Sequence, residues 1–241
     1  MTADPSAKAG PRFRPSRVAT ITCALGLLVL VGLGVWQLAR LQWKTALIRD
    51  MQTRMALPAV GIEETGDLSP IDEWLYRSVR VAGIFAYDKT IYLPHGRGYD
   101  VLTPLLRPGQ PSLLVIRGHL QERAGFQPRP ADSALWGRVV VEAVLRPART
   151  RGPFTPDNDP VRRIRYDEDP HEIAVSLAIP EPLPAIFVAR RPVGDGLAPA
   201  SLPALPRNPH LGYALTWFAL AVALVVIYIR HGLMRAKEED W

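Results

Sequence analysis

Of the five histidines in the chain, His210 has the neighbours that metal-binding imidazole chemistry asks for. It opens an apolar run in NPHLGYALTWF, and Tyr213, Ala214 and Trp217 follow at spacings of three, four and seven, which puts all four on one helix face. A neutral imidazole beside aromatic rings at membrane depth can ligate haem iron, with the macrocycle packed between helices. The same residue can be an interfacial histidine hydrogen-bonded to headgroups or backbone, and the residues alone leave both readings open. The remaining histidines read as surface or structural groups. His95 sits in a glycine turn, His119 ends a strand-like run, His171 lies in the first turn of a short helix and His231 trails the last apolar run. No pair shows HExxH or comparable ligand spacing, so a mononuclear metal site is not expected.

Other chemistry is thinly represented. GRG in HGRGYD precedes no helix whose N-terminus could hold a phosphate, so it reads as a β-turn. Asp157, Asp159, Asp167, Glu168 and Asp169 cluster in sequence but do not follow a calcium-loop pattern, and are expected to be solvated loop charges. No nucleophile with an orienting base can be picked out, so catalysis is not expected. The single cysteine, Cys23, lies in an apolar run and reads as a packing residue. The central region therefore has no disulfide, no thiolate zinc site and no thiol copper site.

Two apolar runs set the positions of everything else. VATITCALGLLVLVGLGVWQLA (18–39) holds about 22 charge-free residues, roughly 33 Å of helix against a hydrocarbon core of about 30 Å. LGYALTWFALAVALVVIYI (211–229) holds about 19, or roughly 28 Å. The first is longer than a signal-peptide core and ends in Trp36, Gln37 and Leu38 rather than small residues, so it reads as an anchor that is retained. Basic residues in the tails 1–17 and 230–241 place both termini in the cytoplasm, and the long segment 40–210 on the periplasmic side. The formal charge of +6 is concentrated beside the runs, which suits a lipid bilayer with anionic headgroups. No basic stripe interleaved with aromatics supports nucleic-acid binding. The residues before the first run do not form an amphipathic transit peptide, which favours a bacterial plasma (inner) membrane over a mitochondrial one.

Between the runs, the first helix is expected to continue through RLQWKTALIRDMQTRMAL until Pro58 stops it. Short strand-like runs follow: YRSVRVAGIFA, KTIYLP, YDVLTPLLR, SLLVIRGHL, GRVVVEAVLR and AIFVARR, separated by Gly/Pro turns. DPHEIAVSLAI reads as a helix with Asp169 as N-cap and Pro170 at its first position. The fold class expected is a membrane protein with two transmembrane helices flanking one mainly antiparallel β (α+β) domain, the sheet curling toward a partial barrel.

Several blocks together resemble a known family. GVWQLARLQWKTALI, GYDVLTPL, VIRGHL, PDNDP and NPHLGYALTWFALA occur in the order found in the Surfeit locus protein 1 family of cytochrome c oxidase assembly factors, and the resemblance runs from about Gly34 to Ala219. It implies a non-catalytic chaperone of respiratory-chain biogenesis that binds haem a and aids its insertion into oxidase subunit I. Subunit I and haem a synthase are the implied partners. The histidine of the last block, here His210, is implied as axial ligand to the haem iron; Tyr213 and Trp217, on its helix face by spacing, are the residues expected beside the macrocycle. A haem-independent membrane scaffold for nascent subunit I is the alternative. Two departures stand out: His119 replaces the Trp usual after Arg-Gly, and RRIRY lacks a Trp often seen after the PDNDP-like stretch.

Overall fold

The computed structural model describes residue 13, residues 15–62, residue 68 and residues 70–238, with the side chains of 235–238 left aside. Most of the expected tails, and the acidic loop around 63–67, lie outside the described residues. The chain forms two compact units, one drawn from Met1–Ile48 and Pro206–Trp241, the other from Arg49–Leu205.

The first unit is built on helices. Helix α1 spans Arg17–Ala56. Ser16 caps its start, its hydroxyl accepting from the Ala19 N–H at 3.2 Å. The helix stops two residues before Pro58, which cannot continue the ladder and disfavours helix in the residue before it. The C-terminal helix, numbered α4 below, spans His210–Glu238. Both are long and apolar enough to cross a membrane, and both expose most of their side chains.

They run antiparallel. At one end the hydroxyls of Thr20 and Tyr228 lie 2.8 Å apart; at the other, Gln37 meets His210. Small residues set the spacing: a Cβ on Gly34 would meet the Phe218 ring at 2.6 Å, and one on Gly26 would meet Leu224 at 2.9 Å. Gly32, with the same composition signal, has nothing within 4 Å and plays no part in the seam. Cys23 is buried on this seam's helix, as a packing residue would be.

The second unit is a sheet. Its strands are β1 (Val60–Gly61), β2 (Ser78–Phe85), β3 (Ile91–His95), β4 (Gly98–Leu106), β5 (Ser112–Leu120), β6 (Arg138–Arg146) and β7 (Pro182–Ala189). Helix α2 is a single turn, Ile71–Trp74, and α3 spans Pro170–Leu177. The spatial order is β1-β2-β6-β7-β5-β4-β3, and a further short pairing of β2 with β4 closes strands β2, β6, β7, β5 and β4 into a partial barrel. Pairing is mainly antiparallel, but β1 runs parallel to β2 and β5 parallel to β7. The β7 strand enters parallel because it follows the α3 excursion instead of a tight turn.

Alternation explains the interior. On β2 and β6, Val79, Val81, Phe85, Val141, Ala143 and Leu145 point inward, while Arg80, Glu142 and Val140 are exposed. Strands β4, β5 and β7 are buried on both faces. Their inner face packs Leu105, Leu113, Val115 and Phe187 within the barrel. Their outer face, with Leu102, Leu114, Ile116 and Ile186, packs with Leu93 of β3 and Ile173 of α3. Asp169 caps α3, its carboxylate accepting from His171 N–H at 2.9 Å and Glu172 N–H at 3.2 Å.

The acidic run departs from expectation. Asp157 is almost fully exposed and Asp159 partly so, but Asp167 and Glu168 are buried. Glu168 accepts from Arg146 at 2.6 and 2.8 Å and from Arg149 Nε at 2.9 Å. Asp167 accepts from Arg165 at 2.6 Å and from Asn158 at 2.8 Å. These carboxylates are enclosed because arginines from β6 and from the excursion itself supply fixed donors.

Candidate functional site

His210 is the first residue of α4, and its Nδ1 lies 2.7 Å from Oε1 of Gln37 on α1. An amide oxygen only accepts, so Nδ1 carries the hydrogen, and in the neutral imidazole Nε2 then keeps its lone pair. That is the state in which an imidazole can ligate a metal, and an orienting partner on the other ring nitrogen is the usual companion of a ligating histidine.

The surroundings of this pair are polar at the helix ends and apolar further in. Asn208 donates from Nδ2 to the Leu41 carbonyl at 3.3 Å and to Thr45 Oγ1 at 3.1 Å, while its own Oδ1 is buried without a partner. Lys44 donates to the Arg207 carbonyl at 3.0 Å, and the Arg40 guanidinium stacks over Trp43 at 4.2 Å. Ala214, one turn on from His210, is buried, and Trp217 is half-buried. Tyr213 is 56% exposed, so the four residues that share a helical stripe are not equally enclosed. One imidazole nitrogen, an indole and nearby cations fit a haem with its iron, apolar ring and carboxylates.

In the sheet unit, Arg117 is the largest fully buried side chain. It donates to Thr103 Oγ1 at 2.9 Å, to the Val193 carbonyl at 2.9 Å and to the Pro128 carbonyl at 2.7 Å. Its guanidinium stands 4.9 Å over the Tyr87 ring. Burial brings its pKa down to about 10, against the pull of Tyr87 and Tyr92. The Tyr87 hydroxyl is pushed up by burial, opposed by Arg117 and Arg129. These groups tie two loops to the sheet, and sequence reasoning passed over them. Burial also raises the Asp167 and Glu168 carboxyls, but the hydrogen bonds and charges of Arg165, and of Arg146 with Arg149, outweigh it and hold both below the usual carboxylate range.

The other histidines divide. His171 is exposed beside Glu181 at 3.3 Å, and His231 is exposed on α4. His95 and His119, far apart in sequence and read there as separate groups, both contact Asp100. The cross-strand register brings them together; no linear spacing rule could have found them.

Comparison with known proteins assigns the chain. The model of the SURF1 family matches residues 24–222. A SURF1-like protein of Rickettsia felis is 31% identical over 213 residues, covering 83% of this chain and 91% of the relative. A SURF1-like protein of Drosophila melanogaster is 27% identical over 231 residues, covering 85% and 74%. Surfeit locus protein 1 of Xenopus tropicalis is 28% identical over 220 residues, covering 82% and 70%. With the match running from within α1 through the whole sheet and into α4, the chain belongs to the SURF1 family.

Proposed function

We propose that this protein is a membrane-anchored assembly factor for cytochrome c oxidase that holds haem a during its transfer to oxidase subunit I. The observation that carries the haem reading is the His210–Gln37 contact, which leaves Nε2 as an available ligand atom. His210 would hold the haem through its iron, and Trp217 and Tyr213 would supply aromatic surface for its apolar ring. Arg40 and Lys44 would offer cations for the carboxylates. A single protein ligand suits a carrier, because the cargo must also leave. The protein acts in this reading by binding and handing over, not by catalysis.

The anchors are α1 and α4 in a bacterial plasma membrane, with the sheet unit in the periplasm and both termini in the cytoplasm. Support comes from the antiparallel pairing of two apolar helices, which brings Arg17 and Arg230 to the same end, the end of the Thr20–Tyr228 contact. Haem a synthase and subunit I are the partners to which such a carrier would be coupled.

The deciding experiment is an optical spectrum of detergent-purified protein coexpressed with haem a synthesis enzymes, beside His210→Ala. Haem a bands in the native protein that are lost or shifted in the variant are expected. Equal haem a retention by the variant would remove His210 as ligand. Absence of haem from both would replace the carrier with a scaffold for subunit I.

A further inference from the structure

The sheet builds a second histidine constellation whose parts lie in three adjacent strands. Strands β3 and β4 are joined by the two-residue turn Gly96-Arg97, with Gly96 at φ 59° and Arg97 at negative φ, the sign pattern of a II′ hairpin. This turn pairs His95 with Gly98 and Leu93 with Asp100, so His95 and Asp100 project from the same face.

The third member depends on a bulge. Val101 pairs with Gly118, but Leu102 pairs with Ile116, leaving Arg117 as the extra residue on β5. Without it, strict alternation from Ile116 would send His119 to the opposite face. With it, Arg117 stays on the inner face and His119 comes directly opposite Asp100. The end of β5 is then pinned by two backbone hydrogen bonds of 2.8 Å between His119 and Ala198. A Cβ at residue 98 would meet His119 Nε2 at 2.9 Å, so Gly98 makes room for the ring.

The register gathers two imidazoles about the Asp100 carboxylate. His95 Nδ1 lies 2.7 Å from one Asp100 oxygen and His119 Nδ1 lies 3.0 Å from the other. Ligand atoms from the three residues all fall within 4.8 Å of one another. For bonds of about 2.0–2.1 Å, the ligand–ligand edge of a tetrahedral site is roughly 3.3 Å, so only small side-chain shifts separate this arrangement from coordination. The Asp100 side chain is 5% exposed, His119 23% and His95 41%, so solvent reaches the group from its histidine side.

We propose that His95, Asp100 and His119 bind a divalent first-row transition-metal ion of the zinc class, with solvent completing its coordination. Two imidazoles and one carboxylate form the borderline donor set such ions prefer, and three protein ligands with an open position is the pattern of accessible zinc sites. The site lies wholly within the sheet unit and does not depend on the haem reading. The competing account is a hydrogen-bonded triad in which Asp100 serves only as acceptor for two imidazoles.

The test uses tag-free full-length protein in detergent, stripped with chelator, then titrated with Zn2+ by equilibrium dialysis and with Co2+ as an absorbing probe. One ion per chain and visible ligand-field bands are expected. His95→Gln, at the exposed hairpin end, should weaken Zn2+ binding by at least about tenfold and abolish the bands, with an unchanged metal-free melting temperature. His119→Gln should do the same, and His171→Gln should have no effect. No uptake by the native protein, uptake that survives in the double variant His95→Gln/His119→Gln, or uptake removed by altering His171, His210 or His231 would each overturn the proposal.

Discussion

A histidine can hold iron only through a nitrogen whose lone pair is free, and Gln37 decides which nitrogen that is. Its oxygen fixes the hydrogen on His210 Nδ1 and orients the ring. Gln37→Leu removes this acceptor, putting an apolar side chain in place of the amide. In the proposed carrier it is expected to lower haem a affinity by about 10–100-fold, measured by spectral titration, with the Nε2 ligand still present. His210→Ala should abolish the axial bond outright, so the two variants rank in that order. At this scale the sequence disclosed half of each constellation. His210 could be picked out because its helical neighbours lie within seven positions. Gln37, 173 positions away, could not, since nothing local encodes a contact between two helices. Asp100 and His119, 19 positions apart, are opposed only because of the strand register. Asp167 and Glu168 were misread for the same reason: the arginines that neutralise them are assembled by folding.

The elements themselves were more legible than the contacts between them. Apolar length announced α1 and α4, Asp169-Pro170 announced α3, and alternation announced the strands β2 to β7. The bulge on β5 left no such mark, because VIRGHL reads as an unbroken strand; a glycine within the run is its only trace. Likewise, of the three glycines on α1 only Gly26 and Gly34 face α4 closely. Gly34 lies one turn from Gln37, so helix approach and ligand orientation are linked. Gly34→Leu would drive a side chain into the Phe218 ring, an overpacking that costs about 1–3 kcal/mol. The expected outcome is a lower thermal stability of the helix pair and reduced haem a retention, with the β-sheet circular dichroism unchanged. Gly32→Leu, where no atom lies within 4 Å, should leave both intact. Equal effects from the two substitutions would mean that the seam does not set the site.

Across the whole molecule, ionisable groups are distributed unequally between the two units, and acid should expose the difference. Among the residues whose side chains are described, the helix-pair unit contains no Asp or Glu, whereas the sheet unit buries Asp167 and Glu168 against arginines. Both carboxyls have folded values below their ordinary ones of 3.8 and 4.5. The sign follows directly: the unfolded chain takes up protons first, so their stabilisation is present above the ordinary value and lost as pH falls through the folded one. Stability of the sheet unit should therefore be level from neutrality to about pH 5, then decline steadily with further acidification. Glu168→Gln should be less stable at neutral pH by about 3–5 kcal/mol, because Arg146 and Arg149 lose their buried partner, and its stability should vary less with pH below 4.5. The described side chains of the helix-pair unit offer acid no carboxylate to protonate, and its packing is apolar apart from a few hydrogen bonds. Unfolding at low pH is thus expected in two parts: the tertiary signals of Trp74 and Trp136 in the sheet unit collapse, while helical circular dichroism persists. A single cooperative loss of both signals would show that the sheet unit and the anchors stand or fall together.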